Sequence, residues 1–158
     1  MSETFNAGGF AYKIRTQFSF LADDQKLSRV LGGIAGRDIS ITGYLQTILP
    51  EDARGCSNLV RLVVGSPDSE TAADIGGVRS VLGSLDIEFQ EDPVIQVLLI
   101  APGIPGILSG IFAALWRRVQ VNAMYLGEET RIFVDVSDVC KALFILSQTT
   151  AEKSPKRR

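Results

Sequence analysis

Histidine is absent from the 158 residues, and the two cysteines, Cys56 and Cys140, lie far apart without ligand-like neighbours. The commonest metal ligand and general base is therefore missing, and zinc, iron and serine–histidine chemistries have no starting point. Two lone cysteines are more often small buried or surface residues than a disulfide or a metal pair. The adjacent acids Asp23 and Asp24 read as a helix cap rather than an acid–base dyad, and Glu128-Glu129 as a solvated turn. With no activated nucleophile or metal cluster in view, the expectation is a protein that is not an enzyme and uses no cofactor. What remains is backbone chemistry. The run Ala101-Pro102-Gly103-Ile104-Pro105-Gly106 turns the chain into a helix. Free amides at a helix start carry partial positive charge and can hold a carboxylate, and glycine lets the backbone come close.

Composition narrows the classes further. Hydrophobic residues make up 46 % and charged residues 22 %, the balance of a globular chain. A net charge of −2 and a pI near 5.2 give no electrostatic footprint for nucleic acid. The longest apolar run, Val94 to Ala101, is strand length and far short of the roughly 18 residues a membrane span needs. Met1 to Phe10 lacks the basic and apolar regions of a secretory signal, so a cytoplasmic location is expected, with no membrane partner. The basic end, Lys153 to Arg158, reads as a solvated tail.

The elements that would position the turn follow from periodicity. A strand is expected over Ala11 to Leu21, then a helix capped by Asp23 or Asp24 with Leu27, Val30, Leu31 and Ile34 on one face. Gly36 would end it by supplying the left-handed residue. Ile39 and Ile41 alternate with Ser40 and Thr42, as in a strand. Pro50 to Ser57 reads as a hairpin loop and Leu59 to Val64 as the next strand. Ser69 would cap a second helix carrying Ile75, Val78, Val81 and Leu82, weakened by Gly76-Gly77 at about 1 kcal/mol each, and so short or irregular. Ile87 to Phe89 makes a short closing strand. The order then repeats: a strand over Val94 to Ile100, a helix with Pro105 at its first position, strands over Val121 to Leu126 and Arg131 to Val136, and a helix capped by Ser137 or Asp138. No final strand follows; the chain turns polar at Gln148. The halves align at a shift of about 81 positions, with Leu27 on Leu108, Leu31 on Phe112 and Ile34 on Leu115. Trp116 lies beside the apolar face, where core or interface packing is expected.

The second half resembles the ACT family. Ala101 through Leu108 and then Val121-Asn122-Ala123-Met124 match its strand, Pro-Gly turn, helix and apolar-Asn-apolar strand start, and Arg131 through Asp138 match its next strand and helix start. The nearest flavours are the regulatory units of aspartokinase and phosphoglycerate dehydrogenase, which bind amino acids. The resemblance covers about residues 11–148, although the first half has Ala22-Asp23-Asp24-Gln25-Lys26 in place of the Pro-Gly turn. It implies an α+β fold of two ferredoxin-like βαββαβ units in tandem, the second lacking its last strand. The expected organisation is a loose N-terminus over 1–10, units over 11–92 and 93–148, and a polar basic tail over 149–158.

The resemblance also implies a site. In that family an effector amino acid sits at an interface between units, beneath the start of the first helix. By position, the amides of Gly103, Ile104, Gly106, Ile107 and Leu108 would cradle its carboxylate, with Pro105 supplying only a rigid turn. Asn122 takes the place of the family's ligand-contacting asparagine, whose amide oxygen can accept from an ammonium group. The first half holds Ser40 at that place, with Asp24 and Gln25 as polar contacts. Against this stands a bland reading, in which the turn merely redirects the chain and Asn122 pairs with backbone. The functional expectation is a regulatory sensor binding an amino acid or similar metabolite, a homodimer, acting on an enzyme that the residues do not identify. The competing reading is a regulatory subunit or dimerisation scaffold without ligand, similar in plan to the small subunit of acetohydroxyacid synthase, although the first half lacks that family's Asn-x-Pro-Gly turn. An RNA-recognition module shares the topology, but neither half pairs basic residues with exposed sheet aromatics.

Overall fold

The computed structural model describes the backbone of residues 4–7, 10–52, 55–98 and 105–153, and side chains over 11–49, 57–98 and 105–148. In chain order the elements are β1 (Thr4–Ala7), β2 (Phe10–Ala22), α1 (Asp24–Gly36), β3 (Ile41–Asp52), β4 (Gly55–Val64), α2 (Ala72–Ser84), β5 (Phe89–Leu98), α3 (Ile107–Leu115), β6 (Val121–Leu126), β7 (Ile132–Val136) and α4 (Val139–Lys153). They form two compact units, one of Thr16–Asp92 and one of Ser2–Arg15 with Pro93–Arg158. The division cuts both β2 and β5. The N-terminal segment, expected to stand loose outside either unit, instead holds β1 paired to β2 and groups with the second unit.

The first unit runs strand, helix, strand, strand, helix, strand, with spatial order β3-β4-β2-β5. Antiparallel register puts Phe18, Phe20 and Ala22 opposite Leu62, Val60 and Asn58. Paired residues share a sheet face, so that face is apolar apart from Asn58 and needs cover. Leu27, Val30 and Ile34 of α1, with Ile75, Val78, Val81 and Leu82 of α2, supply it and merge into one core. Each such side chain contributes about 1.5–3 kcal/mol on burial.

Local chemistry sets the ends of these helices. Asp23 caps α1, its Oδ1 accepting from the Lys26 amide at 2.8 Å. Gly36 is the last helical residue, but the left-handed position falls to Asp38, φ 63, whose amide donates to the Ala35 carbonyl at 2.9 Å. Thr71, rather than Ser69, caps α2 by accepting from the Asp74 amide at 3.0 Å. Ser69 closes the preceding turn, its amide donating to Ser66 Oγ at 3.0 Å. Despite Gly76-Gly77, α2 is a full 13-residue helix. A Cβ on Gly77 would sit 2.5 Å from Ile39 Cδ1, and one on Gly33 3.0 Å from Val81 Cγ1. Helix propensity is given up there for close approach between elements.

The expected loop over Pro50 to Ser57 is mostly strand, since β3 reaches Asp52 and pairs it with Gly55. A bulge lies at Ile41/Gly43, and the Thr42 hydroxyl there is buried without a hydrogen-bond partner. Its desolvation is uncompensated, so Thr42→Val is expected to stabilise the first unit by about 1 kcal/mol in urea denaturation.

The second unit has spatial order β2-β5-β7-β6, with β1 beside β2. Among the described residues no strand follows α4. The place beside β5 is taken by the front of β2, where Tyr12 joins Ile95, Val97, Ile111, Leu115, Val134 and Ile145 in one core. Arg15 Nη1 donates to Gln96 Oε1 at 3.0 Å within that pairing. The two short strands expected over Ile87 to Phe89 and Val94 to Ile100 are one strand, β5, passing through exposed Pro93. Asp138 caps α4, accepting from the Lys141 amide at 3.0 Å, and the helix continues past Gln148 to Lys153. Cys140 is a free, exposed thiol. Among the described residues, no helix is long and apolar enough to cross a membrane.

Candidate functional site

α3 begins differently from the other helices. Its N-cap is Gly106, at φ 92, and no side chain caps it. Pro105 stands before that cap rather than at the first helical position. The first helical bond runs from the Gly110 amide to the Gly106 carbonyl at 2.9 Å. The amides of the first turn, Ile107 and Leu108 among them, have no carbonyl partner within the helix by construction. Asp23, Thr71 and Asp138 put an oxygen over the starts of α1, α2 and α4; α3 has only a glycine. A Cβ on Gly106 would meet nothing within 4 Å, so the residue is required by its φ and not by crowding. Pro105 and Gly106 are exposed, Ile107 is half-buried and Leu108 exposed. Gly103 and Ile104 lie outside the described residues.

Asn122 is the second residue of β6 and exposed. Its Nδ2 donates to Asp135 Oδ1 at 3.5 Å, a long bond that leaves the amide oxygen free to accept from another group. The register places it away from the α3 start. Leu126 and Val97 both pair with Ile132, at the sheet end where β5 leads toward α3, while Val121 pairs with Val136 at the other end. Four residues at about 3.3 Å each separate Asn122 from Leu126 by about 13 Å. One unit does not bring Asn122 and the start of α3 together.

The first unit shows the same separation. Asp24 and Gln25 lie in the first turn of α1, whereas the Ser40 carbonyl accepts from the Gly65 amide at 2.9 Å, at the far end of β4. Asp24 belongs to a polar chain that sequence reading missed. Asn58, 2 % exposed, donates through Nδ2 to Asp24 Oδ1 at 2.8 Å and to the Ala22 carbonyl at 3.1 Å. Gln46 Nε2 donates to Asn58 Oδ1 at 3.3 Å, and the Tyr44 hydroxyl donates to Gln46 Oε1 at 2.7 Å. Burial pushes the Tyr44 phenol up, keeping it a donor well above neutral pH. The signal for Asn58 was its phase, since it alternates with the core residues Val60, Leu62 and Val64. Electrostatically this helix start suits a carboxylate poorly: Asp23 already occupies an amide, and Asp24 adds a second negative charge. An open groove of about 790 Å³ lies nearby, lined by Leu21, Lys26, Leu59 and Glu88 among others. Asp24, Gln25 and Ser40 are not among its lining residues.

No family model matches the chain, and no curated protein does. Solved structures do. The regulatory subunit of aspartate kinase from Thermus thermophilus, in its ligand-free form, aligns with TM-score 0.61 at 13 % identity over 95 % of this chain and 99 % of its own. A protein from Bacteroides thetaiotaomicron aligns with TM-score 0.62 at 17 % identity, covering 90 % and 97 %. Aspartate kinase from Synechocystis gives 0.63 at 15 % identity over 98 % of this chain, which spans only 29 % of that enzyme. At these identities the likeness is one of fold: an α+β chain of two ferredoxin-like units, as in that regulatory subunit.

Proposed function

We propose that the protein is a non-catalytic regulatory sensor, working in the cytoplasm as a homodimer, that binds an amino acid or similar small metabolite where ACT units of two copies meet. The reading is carried by the start of α3, which alone among the four α-helices of the described residues lacks a side-chain cap and opens on a left-handed glycine. There the amides from Gly106 to Leu108 hold the ligand's carboxylate; the expected contributions of Gly103 and Ile104 fall outside the described residues. Asn122 of a second copy accepts from its ammonium group, which answers the distance between Asn122 and the start of α3 within one unit. Asp24, Gln25 and Ser40 form at most a weaker counterpart in the first unit. Likeness in fold to a protein described as a regulatory subunit of aspartate kinase supports a regulatory role, exercised on an enzyme partner.

The experiment is a thermal-shift screen of the amino acids. A ligand at 100 times its Kd stabilises by about 2.7 kcal/mol, a rise of several degrees in Tm. Asn122→Ala is expected to remove that rise while leaving the ligand-free Tm in place, because Asn122 is exposed. If no amino acid or related metabolite raises Tm, the scaffold reading takes over. The exposed apolar side chains on α3 favour that second reading, and recovery of a stoichiometric enzyme subunit in a pull-down would support it.

A further inference from the structure

We infer that Glu70 is a latch that fastens β2 into the first unit at the residue where the strand enters it, and that the closed latch makes the two units open together. The inference goes beyond the proposed function and needs no ligand. β2 serves both units. Its far half puts Phe18, Phe20 and Ala22 into the core of the first, and its front half puts Tyr12 into the core of the second. The division between the units falls between Arg15 and Thr16. Pairing with β1 covers Phe10 to Lys13 and pairing with β4 covers Phe18 to Ala22, so Thr16 lies between the two ladders. There its amide donates to a side chain. The Glu70 carboxylate accepts from it through Oε1 at 3.1 Å and Oε2 at 3.2 Å, and Oε2 also accepts from the Thr16 hydroxyl at 2.7 Å.

The segment that delivers Glu70 is held at several points. It leaves β4 at Gly65, whose φ of 109 calls for glycine, and the Gly65 amide donates to the Ser40 carbonyl at 2.9 Å. Pro67 fixes one more dihedral. Ser66 Oγ accepts from the amides of Asp68 and Ser69 at 3.1 and 3.0 Å, and Thr71, the residue after Glu70, caps α2. A carboxylate placed this way loses little freedom on engaging Thr16, and bonds to a charged acceptor are about twice as strong as neutral ones. Glu70 is half-buried, so water replaces it once the latch lets go. Position gives the latch its consequence. Of the two strands that the units share, β5 crosses at Asp92 and Pro93, where proline has no amide to donate. The join therefore rests more heavily on Thr16.

Amide hydrogen exchange on the full chain, followed residue by residue by NMR, tests the latch. In the unaltered protein the slowest amides of β4 and of β7 should share one opening constant to within about threefold, because the units open together. Glu70→Ala should speed exchange of the Thr16 amide about tenfold to a hundredfold. It should also part the two sets, so that the opening constants of β4 and β7 differ by at least about tenfold. Glu70→Gln keeps the shape and one accepting oxygen; it should act in the same direction by less, and it carries the test if the alanine variant does not fold. Thr16→Val removes the hydroxyl bond and should have no further effect on opening once Glu70→Ala is present. Opening constants that already differ in the unaltered protein, or that stay together in the Glu70 variants, overturn the coupling. A Thr16 amide that exchanges at its original rate in both Glu70 variants overturns the latch itself.

Discussion

Leu115→Ala is expected to lower the stability of the second unit by about 2–5 kcal/mol, read as a displacement of its transition in urea. The side chain is 0 % exposed and belongs to the core cluster of that unit. Truncation removes the transfer free energy of its methyl groups and leaves a cavity that rigid neighbours close only in part. The effect is sharpened by where Leu115 sits. α3 has only 9 residues, below the length at which a helix holds itself in water. Its persistence depends on Ile111 and Leu115 gripping the sheet, so loosening that grip also loosens the amides of the first turn. Ligand affinity should fall along with stability. The contrasting substitution is Leu108→Ala, where the side chain is 45 % exposed and the cost should stay under about 1 kcal/mol. Equal costs at the two positions would mean that α3 is not seated as described.

Asn58→Asp is expected to cost about 3 kcal/mol at neutral pH and much less near pH 3. The side-chain nitrogen that donates to Asp24 Oδ1 at 2.8 Å and to the Ala22 carbonyl at 3.1 Å would become an oxygen facing two acceptors. Asn58 is buried, so the new carboxylate is both desolvated and set against a like charge, and both raise its pKa. A raised folded-state pKa has one sign. The protonated form keeps its donor and the stability that goes with it below the unfolded-state value of about 3.9, and that stability is lost as pH rises through the folded value. A tenfold gain in proton affinity on folding corresponds to about 1.4 kcal/mol, so a gain of about a hundredfold accounts for most of the loss. A deficit that does not change between pH 3 and pH 7 would show that the Asp24–Asn58–Gln46 chain is not what holds this end of the first unit.

What could be read from residues, and what could not, divides along a physical line. Helix faces were legible in part, because i, i+3, i+4 spacing reports one-sided burial: Leu27, Val30 and Ile34 are buried as that spacing demands, whereas of Leu108, Ile111, Phe112 and Leu115 only Ile111 and Leu115 are, Leu108 and Phe112 being 45 % and 46 % exposed. Strand identity was legible for β4 and β6 from their branched and apolar runs. Long-range pairing was not. Nothing in the periodicity of Tyr12 and Ile14 tells that they complete a sheet built from residues beyond Pro93. Polar Gln90, Glu91 and Asp92 separate the two apolar runs expected as strands, yet the backbone runs through them as one strand of 10 residues. Caps went astray by a residue or two, at Ser69 against Thr71 and at Gly36 against Asp38, because neighbouring residues of similar chemistry compete and packing decides among them. Of the candidate site, the Gly106 turn was legible from glycine and proline alone. Asn58 was not, because a buried amide in a strand becomes visible only when its phase with Val60, Leu62 and Val64 is weighed.

The open amides at the start of α3 bear the weight of the proposed sensor, and amide chemical shifts of nitrogen-15-labelled protein test them one by one. Titrating in the amino acid that raises Tm should move the Ile107, Leu108 and Ser109 amide resonances saturably, while Lys26 at the capped start of α1 stays put. Movement confined to α1, or spread evenly with no saturation at α3, would contradict a carboxylate site there.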